Sequence, residues 1–302
     1  MSVSGEARKR AVVLGGGGPV GVGWEVGIAA GLAGAGVDLR AADLIVGTSA
    51  GSITGAKLGG DEDIAELYAG LGHLFDRSVG ESGADQVPEA GLAQLMELMF
   101  RSADVDQPPE VLRAEIGALA LAADTISEEA FVGGMEATFG DVAWPDRFAC
   151  TAVDTATGEF VVWDHRSDVP LAAAVASSCS VPAIYPPITI DGRRYMDGGM
   201  RSALNSDLAA GHDTVFVVSC MPMELPPGFE DERMSRFFSR ERDGIEALRA
   251  AGATVEVIVP DEEFMMISGM GMFLMDFGRV QQAAEAGMRL GKQEADRIRA
   301  SW

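Results

Sequence analysis

Positive charge is scarce in this chain. Its 302 residues include 23 lysines and arginines against 46 aspartates and glutamates, a formal net charge of -23. Lysine appears only at Lys9, Lys57 and Lys292, and the one basic cluster is Arg8-Lys9-Arg10. So acidic a chain repels nucleic-acid backbones, which excludes a nucleic-acid partner. It also limits contact with an anionic membrane surface to a transient one. Histidine is as rare, at His73, His165 and His212. Cysteine is limited to Cys150, Cys179 and Cys220, an odd number without CxxC spacing, so neither a disulfide framework nor a zinc site is expected. No apolar run approaches the roughly 18 residues of a membrane span. Residues 1–10 are polar and lead directly into a strand, which reads as no secretory signal. A cytoplasmic protein is the expectation.

What is present is an ordinary core composition, 47 % hydrophobic, with 38 glycines. Residues 11–14 read as a buried strand running into Gly15-Gly16-Gly17-Gly18, and 20–35 as a helix closed by Gly34 and Gly36. A second strand at 44–46 leads into Gly47-Thr48-Ser49-Ala50-Gly51 and a helix over about 52–57. This β-loop-α-β-turn-α order predicts a parallel sheet covered by helices. Residues 61–144 are strand-poor, with helical spacing at 64–74, 89–100, 110–122 and 128–139. Clusters of Gly, Pro, Asp and Ser at 78–88 and 104–109 separate them. The region reads as a helical insertion packed beside the sheet. Hairpins are expected at 148–153 with 160–163, and at 188–190 with 193–196 around Asp191-Gly192. A small-residue helix at 171–177, strands at 214–219 and 254–259, and a closing helix near 279–300 complete the pattern, while 223–244 is charged and proline-punctuated. One domain over 1–302 is expected.

Gly-x-Ser-x-Gly between a strand and a helix is a nucleophile elbow, a strained turn that lifts the serine hydroxyl out at the top of a sheet. Ser49 is the candidate nucleophile. Gly47 and Gly51 support the turn because the strand and helix pass too close there for a Cβ. The hydroxyl needs a base and donors for the developing oxyanion. Gly16, Gly17 and Gly18 open a helix, so their amides can converge on an anion. A dinucleotide loop can also be traced there, through Gly16, Gly18 and Gly21, but no acidic residue follows the second strand as such a loop requires. For the base, Asp197 with His212, or Asp154 with His165, has the chain order of an α/β-hydrolase triad, though neither histidine carries a motif. Asp197 itself ends a strand before Gly198-Gly199.

Taken together, Gly16-Gly17-Gly18, GTSAG at 47–51 and Asp197-Gly198-Gly199 resemble the patatin-like phospholipase family in order and separation. The stretches 176–182 and 191–195 resemble the family's approach to its aspartate. The likeness covers most of residues 10–220. It implies a three-layer α/β/α sandwich with a mainly parallel central sheet and a serine acyl hydrolase acting on lipid esters. It further implies a dyad of Ser49 and Asp197 without histidine, an oxyanion hole at Gly16–Gly18, and no metal or organic cofactor. Burial of Asp197 near the elbow should then raise its pKa above about 3.9. The chain departs from the family at Pro19-Val20, where an arginine is usual, and at Gly15, often aspartate in plant members. Two other readings stay open: a triad esterase or thioesterase using His212 or His165, and a non-catalytic lipid-binding or regulatory protein. A homo-oligomer is compatible with the sequence. Five methionines within residues 265–275 form a soft apolar surface, read either as core or as a lid over 261–277 beside Ser49.

Overall fold

The computed structural model describes residues 8–76, 89–101, 108–224 and 232–302. The loop readings at 78–88 and 104–107, and the proline-rich start of 223–244, fall largely outside them. The chain alternates β1 (Arg10–Leu14), α1 (Gly18–Gly34), β2 (Leu44–Gly47) and α2 (Ala50–Gly59) before five helices follow. These are α3 (Ile64–Ala69), α4 (Leu71–Asp76), α5 (Glu89–Arg101), α6 (Pro109–Ala122) and α7 (Glu128–Phe139). The single helix expected over 64–74 is two, because Gly70 caps α3 and the axis restarts at Leu71. Next come β3 (Phe148–Asp154), β4 (Phe160–Asp164), α8 (Leu171–Ser178), β5 (Ile188–Ile190), β6 (Arg193–Asp197) and β7 (Thr214–Val218). The chain closes with α9 (Glu232–Ala250), β8 (Thr254–Ile258), α10 (Glu262–Ile267) and α11 (Val280–Arg299). Helix α9 occupies much of the stretch read from sequence only as charged and proline-punctuated.

The strands form one sheet in the order β5-β6-β3-β2-β1-β7-β8, with β4 attached to β3. The β3-β2-β1-β7-β8 portion is parallel and the two hairpins are antiparallel. Side chains alternate across it as strand geometry dictates. Val12, Leu14, Ile45, Phe216 and Val218 join α1, α2 and α11 in one core. Ala11, Val13, Val46, Val215 and Val217 pack with Ile245 and Leu248 of α9 on the other face. The result is the expected helix–sheet–helix layering.

The pairing around β3 decides where the site forms. Cys150 pairs with Trp163 of β4 on one side and Gly47 of β2 on the other. Ala152 pairs with Val161 of β4 and with Asp197 of β6. A residue has one partner on each edge, so β2 and β6 share the edge of β3 opposite β4. They run toward each other along it. Gly47 and Asp197 end two positions of β3 apart, roughly 7 Å of strand.

Candidate active site

The elbow is built by backbone close approach. Thr48 N–H donates to Leu14 O at 3.0 Å and Gly51 N–H to Gly15 O at 3.0 Å, which docks the start of α2 on the end of β1. A Cβ on Gly51 would overlap the Leu14 carbonyl, and one on Gly47 the Gly51 carbonyl. Between them Ser49 adopts φ 52° and ψ -118°, a conformation that costs a non-glycine residue about 1–3 kcal/mol and is kept only where the surroundings enforce it. The enforcement comes from α8, its C-cap and the first turn of α2. Ser178 Oγ accepts Ser49 N–H at 3.0 Å, and Ser49 O accepts Ser52 Oγ–H at 2.6 Å and Cys179 Sγ–H at 3.2 Å.

Asp197 arrives at the end of β6, its N–H donated to Ser180 O at 3.0 Å. The side chain is 2 % exposed. Oδ1 accepts Gly199 N–H at 2.7 Å, while Oδ2 is buried without a hydrogen bond of full geometry. Burial pushes the carboxyl up to about 7; the nearby Ser49 hydroxyl and the Gly199 amide pull the other way. Thr48 Oγ1 and Thr151 Oγ1 lie 2.9 Å apart, and Asn205 Nδ2 donates to Thr48 Oγ1 at 3.0 Å and Ser202 O at 2.8 Å. This buried polar knot ties the elbow to β3 and to the turn after Asp197. Sequence reasoning missed Asn205, which has no motif around it; its left-handed backbone at φ 49° is visible only in three dimensions.

The glycine loop lies against Ser49: a Cβ on Gly16 would sit 3.5 Å from the Ser49 Cβ. Its amides are not equivalent. Gly15 N–H donates to Val218 O at 3.0 Å and Gly16 N–H to Ala203 O at 2.9 Å. Among the described residues no acceptor takes the N–H of Gly17 or Gly18. Of the three glycines expected to form an oxyanion hole, Gly16 thus has its amide taken by the turn after β6. Gly18, at φ 59°, opens α1, and a Cβ there would press on Leu274 O.

With this geometry in hand, comparison with known proteins decides the family. A model of the patatin-like phospholipases matches residues 12–210, well over half of the chain. The chain belongs to the patatin-like phospholipase family. Patatin-like phospholipases hydrolyse lipid ester bonds, and this protein is a hydrolase of that kind. Solved structures with a similar arrangement include VipD from Legionella pneumophila, at 14 % identity over 97 % of this chain and 67 % of that one, with a TM-score of 0.46. ExoU from Pseudomonas aeruginosa, solved with SpcU, has 18 % identity over 95 % of this chain and 53 % of its own, with a TM-score of 0.37. The chain thus spans about two thirds of the length of VipD and about half that of ExoU, and both scores are too low to bear on the site. A comparison with curated proteins finds no match.

In this patatin-like chain His165 and His212 stand apart from the elbow. His212 precedes β7, at the end of the sheet opposite the glycine loop, with Nδ1 3.0 Å from Ala209 O. His165 is exposed in the turn after β4, whose Asp164 pairs with Ala149 near the start of β3. His73 lies on α4. Asp154 serves its own turn, accepting from the Ala156 and Thr157 amides at 2.9 and 2.8 Å and pairing with Arg193 Nε at 2.8 Å. The three cysteines are buried free thiols. Among the described residues no three His, Cys, Asp or Glu side chains gather as metal ligands would, and no helix is long and apolar enough to cross a membrane.

Beside Ser49 opens an apolar pocket of about 520 Å³, its mouth included. Ile53, Phe131, Met135, Val181, Tyr185, Met275 and Phe277 are among its lining residues. Phe131 and Tyr185 stack with centroids 4.3 Å apart.

Proposed function

We propose that this enzyme cleaves lipid esters by a Ser49–Asp197 dyad, with the oxyanion received by the Gly17 and Gly18 amides. One observation carries the reading: Asp197 is a buried carboxyl with a free Oδ2, close enough to the Ser49 hydroxyl to feel it, at the point where β2 and β6 meet. Asp197 accepts the Ser49 proton as Oγ attacks the ester carbonyl. The negative charge that develops on the carbonyl oxygen is met by the two loop amides and by the N-terminus of α2. Asp197 returns the proton to the leaving alcohol, and a water activated by the same carboxylate then releases the acid. The apolar pocket takes the acyl chain. The segment 261–277 completes its wall through Met275 and Phe277. A carboxyl held near neutrality suits the base role, because proton acceptance is most effective when the pKa lies near the working pH.

A fluorophosphonate probe tests this directly. Wild type should label on Ser49, Ser49→Ala should not, and Asp197→Asn should lose about 10³-fold or more in acylation rate. His165→Ala and His212→Ala should keep most activity. Labelling of Ser49→Ala at the wild-type rate, or collapse of activity in either histidine variant, would overturn the dyad.

A further inference from the structure

Glu25 is a second buried carboxyl, and the mechanism above does not use it. It lies on α1 one helical turn beyond Gly21, is 1 % exposed, and has Oε2 without a partner among the described residues. No lysine or arginine acts on its charge among those residues. Cys220 Sγ–H donates to its Oε1 at 3.8 Å. The Thr54 hydroxyl on α2 and the backbone at Gly15 lie within its reach. The cysteine in turn is wedged under the glycine loop. A Cβ on Gly17 would sit 2.7 Å from Cys220 Sγ, and one on Gly21 3.0 Å from it. Thus one carboxyl is bonded to the chain leaving β7 and lies near the helix that carries the elbow and the strand end that enters the loop.

We propose that Glu25 is a positioning residue that, through Cys220, holds Gly17 with its N–H directed at the reacting carbonyl oxygen. This rests on the reading that the Gly17 and Gly18 amides receive the oxyanion. An unpaired buried acid lowers stability unless something retains it, because desolvating a polar group without full hydrogen bonding is unfavourable. The charge state follows from the surroundings. Burial holds the carboxyl far above its usual range, and the Thr54, Cys220 and Gly15 contacts only partly oppose this. These surroundings favour the neutral acid. Neutrality also fits the task, since an anion beneath the loop would oppose the charge the loop receives.

Neutrality separates two substitutions. Glu25→Gln keeps an acceptor and a donor without charge. Glu25→Leu fills similar volume, removes the contacts, and relieves the unpartnered acid, so its thermal midpoint should be held or raised. The full chain is assayed for kcat and KM on a short-chain nitrophenyl ester, with amide hydrogen exchange read at the 15–21 loop. Glu25→Gln should match wild type in both. Glu25→Leu should lose kcat on the order of 10- to 100-fold at nearly unchanged KM, the scale expected for a misplaced catalytic group, with faster exchange at Gly17 and Gly18. Wild-type kcat in folded Glu25→Leu would overturn the proposal. So would a Glu25→Gln enzyme as impaired as Glu25→Leu, which would require an ionised carboxylate. A wild type that neither hydrolyses nor labels would instead sink the dyad, and the exchange comparison would then decide the role of Glu25: unchanged exchange in Glu25→Leu overturns it.

Discussion

Asp197 works against its own environment. The proposed base must be ionised to accept a proton, yet burial favours the neutral acid and moves the pKa from 3.8 to about 7. Two consequences follow. The value of kcat/KM should rise along an acid limb centred near pH 7, since the free enzyme gains its base there. A profile flat from pH 5 to 9 would exclude Asp197 from that role. Stability has the opposite slope. Between 3.8 and about 7 the folded protein holds a proton that the unfolded chain has released, so the contribution is full below 3.8 and is lost as the pH rises through 7. Asp197→Asn cannot ionise. It should gain on wild type by about 2–4 kcal/mol between pH 4 and pH 8, at about 1.36 kcal/mol for each pH unit separating the folded and unfolded pKa values. Urea unfolding of both proteins at the two pH values measures this, and an equal difference at both would contradict the buried-acid account.

Helix α1 is apolar almost all round because it is covered almost all round. Its tightest contact is with α11. Gly23, Gly27 and Gly31, spaced four apart, bring the α1 backbone against Val280, Ala284 and Met288, while Gly287 and Gly291 of α11 face Trp24 and Ile28. A Cβ at Gly27 would overlap the Ala284 carbonyl, and one at Gly287 the Trp24 carbonyl. Side chains on either seam would push apart the helix that opens at the glycine loop. Gly27→Ala should therefore destabilise by about 1–3 kcal/mol, the usual range for overpacking, and lower the urea midpoint. Gly34, the last residue of the same helix, has nothing near its absent Cβ. There Ala should be neutral or stabilise by up to about 1 kcal/mol. If both substitutions behave alike, the seam is not what holds α1. The spacing of these glycines was readable in the chain, but their partner helix at the far end of the sequence was not.

The acidic surface and the methionine segment bear on how the whole molecule meets a lipid. Met266, Met270 and Met272 are 68, 72 and 81 % exposed, and Phe273 is 44 % exposed. Met266 lies on α10, and the other three follow it in a turn where Gly269, Met270 and Gly271 all have positive φ. Leu274 O accepts Val20 N–H at 3.2 Å, so this turn is anchored to the start of α1 beside the pocket. Of the two readings of this segment, core or lid, the exposure of these side chains leaves them outside the core. Met270→Asp with Met272→Asp should lower kcat/KM on long-chain esters roughly tenfold, equivalent to leaving one or two methylenes in water, and leave acetate esters nearly unchanged. Equal losses on both substrates would remove the segment from acyl-chain binding.

Features set by neighbouring residues were legible in the chain: a strand entering GTSAG, an Asp-Gly hairpin turn, glycines opening a helix, apolar periodicity along α5 to α7. Each depends on contacts within a few positions, which composition and spacing record. Where charge masked the periodicity, over 232–244, helix α9 was not foreseen. The proposed dyad of Ser49 and Asp197 came from resemblance, and what brings their strand ends near each other is register: β2 and β6 converge along one edge of β3 because Cys150 and Ala152 each have a different partner there. Register joins residues far apart in the chain, and no local pattern encodes it. The same holds for Gly16, whose amide is claimed by Ala203, and for Glu25, a charged helix residue that lies in the core. Folding alone determines which amides remain free and which carboxyls lose water, because both depend on what the rest of the chain packs against them.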